Sequence, residues 1–163
     1  MKVFLAGFAV FLVSCGAPDI LRVRQFHLQD TDVATGHPFI RAEMNRRLYG
    51  AVTTRDRTLR KGNYYHIRWH GLTGLEPIKL IFEYRQARTG AKVNQRSFEV
   101  PGSAKGDLEM VVSGLEYLKH GHVQAWRVTL FEGDSEIFVK KSYLGIKWAT
   151  FGSGAMSYAH LVR

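Results

Sequence analysis

The chain has 163 residues, with 23 Lys and Arg against 14 Asp and Glu and a single cysteine. That length suits one domain, and one cysteine excludes a disulfide framework, so apolar packing must hold the fold together. The net charge of +9 favours anionic partners over cationic ones.

Residues 1–14 read as an export signal. Lys2 is the only cation, residues 3–13 are apolar, and the small Ser14 precedes a cut site. The run is too short to span a bilayer, which needs about 20 apolar residues. Leu12-Val13-Ser14-Cys15 resembles the lipobox of bacterial lipoproteins. That resemblance implies acylation of Cys15 and cleavage just before it, leaving a lipid-anchored mature chain of 149 residues (163 − 14). Gly16, where Asp is absent, is compatible with sorting to the outer membrane, which places the expected domain on its periplasmic side. Residues 15–19 then form the lipidated cysteine and a short tether, residues 20–148 the folded domain, and residues 149–163 a Gly/Ser-rich tail.

Residues 20–28 alternate imperfectly, with Leu21 and Val23 on one face and Phe26 and Leu28 on the other, which predicts a first strand with a bulge. Residues 29–38 carry Asp, Thr, Gly and Pro and read as a loop. Residues 39–51 fit two patterns. Ile40, Met44 and Leu48 recur every four residues between Pro38 and Gly50, as in a helix, while residues 48–53 fit a strand; the strand over 47–53 is the reading preferred. Residues 54–62 predict one helical turn capped by Thr54 and closed by Gly62.

Beyond this point the alternation is strict. Tyr65, Ile67 and Trp69 share one face of a strand over 64–70, with His66, Arg68 and His70 on the other. Ile78, Leu80, Phe82 and Tyr84 line the next strand, and Thr89-Gly90 turns the chain into a return strand over 92–100. Leu108, Met110 and Val112 mark another strand. Trp126, Val128 and Leu130 face one way over 123–131, residues 132–135 make a hairpin turn, and residues 136–144 return. Met156, Tyr158 and His160 allow a short edge strand in the tail.

Seven or so short strands without a long helix predict an all-β antiparallel sandwich, with a small β-barrel as the alternative. Tyr117 and a glycine-led strand before the last hairpin resemble an immunoglobulin or fibronectin type III domain. The missing cysteine pair favours the fibronectin-like variant.

Chemistry-bearing patterns are sparse. The lone cysteine is assigned to lipid, and no Gly-x-Ser-x-Gly elbow offers a serine nucleophile. The close acid pairs Asp30/Asp32, Asp107/Glu109 and Asp134/Glu136 sit at turns or strand ends, where acids cap backbone or face solvent. His66 and His70 would lie about 13 Å apart on a strand, too far to share an ion. His120 and His122 are closer, about 6.6 Å apart if extended, and with His27 or a carboxylate could hold copper or zinc. Between Arg41 and His70, eight Lys and Arg face two acids, a net +6. Arg46, Arg47, Arg55, Arg57, Arg60 and Lys61 in that stretch form a candidate anion-binding set, since guanidinium forks match phosphate and carboxylate.

The expectation is a membrane-anchored, non-enzymatic binding or structural module of the cell envelope, with no cofactor and no nucleic acid. Its expected partners are the membrane, through the lipid, and an envelope protein or anionic envelope polymer. The alternative is a periplasmic metal-binding protein or enzyme using His120 and His122. Inhibition of lysozymes is disfavoured, because two basic proteins repel.

Overall fold

The computed structural model describes residues 19–29 and 37–142. The signal segment, Cys15, the tether before Asp19 and the tail with Met156, Tyr158 and His160 lie outside these residues. The elements follow in the order β1 (Leu21–Leu28), α1 (Pro38–Leu48), α2 (Thr54–Arg60), β2 (Gly62–His70), β3 (Ile78–Gln86), β4 (Asn94–Val100), β5 (Lys105–Ser113), α3 (Gly114–His120), β6 (Val123–Glu132) and β7 (Ser135–Lys141). They form two antiparallel sheets, one ordered β1-β2-β5 and the other β4-β3-β6-β7. Among the described residues the fold is an all-β sandwich of seven strands.

Alternation dictates the core. Every second residue of a strand points to the same face, so Tyr65, Ile67 and Trp69 of β2 meet Ile78, Leu80, Phe82 and Tyr84 of β3 across the gap between the sheets. Met110 and Val112 of β5 and Trp126, Val128 and Leu130 of β6 complete the cluster, all buried. Each such side chain contributes about 1.5–3 kcal/mol by leaving water. The Trp69 indole packs against Gly106, its partner on β5; a Cβ there would sit 2.3 Å from the ring. Only glycine leaves room for that ring. The hydroxyl of Tyr65 is fully buried among these apolar groups, and burial pushes its pKa far up, so it stays neutral.

The first strand corrects the predicted bulge. β1 pairs with β2 in unbroken register from Leu21↔Trp69 to Leu28↔Gly62. Its apolar residues change face because both faces are covered. Leu21 and Val23 pack into the main core, whereas Phe26 and Leu28 join Met44, Leu48, Tyr64 and Val111 in a second cluster beneath α1.

That helix corrects the strand preferred over residues 47–53. Pro38 starts α1 at the position where its missing N–H costs nothing, and His37 Nδ1 accepts from the Phe39 amide at 3.3 Å. Met44 and Leu48, four residues apart, face the sheet. The chain leaves the helix through Gly50, whose φ of +76° suits glycine and ends any strand there. Arg60 then donates to the carbonyls of Arg47 and Tyr49, satisfying acceptors at the end of α1. In α2 the cap is Thr53, one residue earlier than expected: its hydroxyl and the Asp56 carboxylate exchange hydrogen bonds with each other's amides at 3.1 Å.

Candidate functional site

The outward face of the three-stranded sheet carries three rows of side chains set by strand register. Arg22 stands beside Arg68 and Arg68 beside Asp107; Arg24 beside His66 and His66 beside Glu109; Phe26 beside Tyr64 and Tyr64 beside Val111. α1 covers the apolar third row with Met44 and Leu48. The first row stays open to solvent, and in the second the exposed Arg24 flanks a half-buried His66.

One residue fixes the helix to this face. Arg47 stacks its guanidinium 4.2 Å over the Tyr64 ring and forms ion pairs with Glu43 of its own helix and Glu109 of β5. The hydrogen bond from Arg47 is the main cause holding Glu109 below its ordinary carboxylate pKa, outweighing burial. For Glu43, burial pushes upward, yet hydrogen bonds and attraction from Arg46 and Arg47 leave it lowered overall.

Between the helix and the open rows lies a cavity of about 380 Å³. Phe26, Phe39 and Tyr64 give it aromatic surface, while Arg24, His66 and Asp107 form part of its polar wall. A second, smaller dent is lined by Arg22, Arg24, His66 and Arg68. The two share Arg24 and His66 and so lie side by side.

Most of the expected anion-binding set has partners within the fold. Arg46 and Arg47 are occupied with Glu43 and Glu109. Arg60 is turned onto the carbonyls at the end of α1, and Arg57 reaches the Ala51 carbonyl at 3.4 Å. Arg55 lies exposed on α2 and Lys61 follows that helix. The residues that sequence reasoning missed are Arg22 and Arg24, which the sheet brings beside Arg68. Among the described residues no carboxylate forms an ion pair with any of these three. Their one available signal was alternation, which sets Arg22 and Arg24 on the side of β1 opposite Leu21 and Val23.

His120 ends α3 and His122 precedes β6, separated by Gly121 at φ +80°. The His122 ring lies 5.9 Å from that of His27. Both His27 nitrogens are engaged, Nε2 with the Tyr117 hydroxyl and Nδ1 with Gln29, each at 2.7 Å. Among the described residues no three His, Cys, Asp or Glu side chains converge in a metal-binding group. Glu116 of α3 serves structure: it accepts from the Tyr84 hydroxyl at 2.6 Å and pairs with Arg96. Burial, reinforced by that acceptor, pushes the Tyr84 hydroxyl up to about 12.

Fold and site together define a small β-sandwich with a helix-roofed amphiphilic groove opening onto a basic sheet face. No protein-family model, no curated protein and no solved structure matches the chain.

Proposed function

We propose that this chain is a cell-envelope lipoprotein, tethered through an acylated Cys15, whose sandwich is a non-enzymatic module for an anionic partner. The observation that carries the reading is the exposed group of Arg22, Arg24 and Arg68, spread over two adjacent rows and left without ion-paired carboxylates among the described residues. Like charges directly opposite each other on a sheet, as Arg22 and Arg68 are, weaken the pairing. An anion laid across them removes that repulsion. The group also lies near the expected anchor. Arg22 follows Cys15 by seven residues, a reach of at most about 25 Å when extended. Beside an anionic leaflet each such side chain gains about 1 kcal/mol. The strand order β1-β2-β5 and β4-β3-β6-β7 supports a domain of the immunoglobulin or fibronectin type III kind.

Two measurements test this. Radiolabelled palmitate is expected in the protein and in the outer-membrane fraction, and Cys15→Ser is expected to abolish both; an unlabelled wild-type protein in the soluble fraction would remove the anchor. The purified protein should retain anionic envelope fragments at low salt and release them at high salt. Arg22→Gln/Arg24→Gln/Arg68→Gln should lose that retention while Arg55→Gln/Arg57→Gln keeps most of it. The reverse order would move the binding surface back to α2.

A further inference from the structure

We infer that the exposed arginines of the outer β1-β2-β5 sheet face and the cavity beside them under α1 are one binding site for an organic phosphate. Arg22, Arg24 and Arg68 hold the phosphate group, and the cavity under α1 takes the apolar body to which it is attached. This deepens, and rests on, the anionic-partner reading above; it is independent of acylation at Cys15.

The charged half is built for a compact, multi-oxygen anion. Arg22, Arg24, His66 and Arg68 border one shallow dent, too small to admit a water molecule, and the three exposed arginines rise around it from two paired strands. Guanidinium groups match phosphate oxygens two at a time, and such charge-assisted bonds are about twice as strong as neutral ones. The acids nearby do not fill the same role. Glu109 is held by Arg47, and Asp107 faces the His66 ring at 3.3 Å from the far side of β2. On β1, Arg22 and Arg24 have neither beside them.

The apolar half follows directly from the dent. Arg24 and His66 border both the dent and the larger cavity, so a phosphate held over Arg24 lies beside that cavity and leaves its substituent within reach of it. There Phe26 and Tyr64 form the sheet side and Phe39 the helix side. Phe39 is 63% exposed, a large aromatic ring left in water at the mouth of the cavity, where a bound apolar group would cover it. At about 380 Å³ the cavity falls at the small end of the range typical of ligand pockets. It accommodates a ring system or a short acyl segment.

Calorimetric titration of the purified full-length protein in neutral detergent separates the parts. The probes are 1-naphthyl phosphate, 1-naphthol, inorganic phosphate and the soluble lipid dihexanoyl phosphatidic acid. Naphthyl phosphate should bind more tightly than either of its halves, and should weaken about tenfold or more in Arg22→Gln/Arg24→Gln/Arg68→Gln. Phe39→Ser should weaken naphthyl phosphate but leave inorganic phosphate unchanged. All four positions are exposed, so the variants should melt at or near the wild-type temperature, which confirms folding. A stronger response to the lipid assigns a lipid headgroup as the source, and a stronger response to the naphthyl ester assigns a soluble phosphate. Equal affinity for naphthyl and inorganic phosphate would overturn the two-part site. Undiminished binding by the arginine variant would overturn it equally. Envelope retention that persists when every phosphate probe fails would leave the anionic-partner reading standing and this one refuted.

Discussion

Phe82→Ala is expected to lower unfolding free energy by about 3–5 kcal/mol, the usual loss for truncating a buried aromatic side chain. Phe82 is fully buried on β3, an interior strand that pairs with β4 on one side and β6 on the other. Its ring lies 4.8 Å from that of Tyr65, 5.6 Å from Tyr84 and 6.4 Å from Trp126, to which it is nearly parallel. These neighbours belong to strands of both sheets, so a cavity here cannot close without shifting the sheets relative to one another. Domains of this size have only about 5–15 kcal/mol of net stability. The substitution therefore removes a large share of it. Guanidinium unfolding followed by tryptophan fluorescence measures the loss. As a comparison, Ile137→Ala on β7, where the side chain is more than one-third exposed, should change stability far less. Similar effects from both would show that the aromatic cluster is not the centre of the core.

That cluster was legible in the sequence for a physical reason. Period-two alternation places Tyr65, Ile67 and Trp69 together whatever surrounds the strand, and β2 buries all three. β1 was harder because its two faces are both covered, one by the second sheet and one by α1, so its apolar residues break step without any bulge. α1 itself offered a helical spacing in Met44 and Leu48, but it buries only Met44, and a helix so weakly amphipathic competes poorly with a local strand pattern. α3 was missed as a helix: it is seven residues long, buries none of them, and leaves Leu115 exposed.

The candidate site was less legible than the fold. Proximity along the chain makes residues 46–61 look like one free patch, yet most of those cations have partners inside the fold. Some bind carboxylates and others bind carbonyls. Arg22 and Arg68 are 46 positions apart (68 − 22) and become neighbours only through the pairing of β1 with β2. Composition carries no trace of that register.

Arg47→Met should cost about 2 kcal/mol at neutral pH, less than the loss from breaking a fully buried pair, because Glu109 is 37% exposed and partly screened. Methionine keeps much of the apolar length over Tyr64 but leaves Glu43 and Glu109 with only Arg46 nearby. The pH dependence identifies the source of the loss. Both glutamates have folded pKa values lowered from about 4.5. A depressed carboxylate adds stability that is fully present above its unfolded value and disappears as pH falls through its folded one. The wild type should therefore exceed the variant most above about pH 5, with the gap closing on acidification towards pH 3. Unfolding curves at several pH values measure that gap. A gap of constant size would assign the loss to the stack on Tyr64 and to packing, since neither titrates in this range. If the gap closes as expected, Arg47 is the electrostatic clamp that, with the packing of Met44 and Leu48, holds α1 over the sheet at the wall of the cavity.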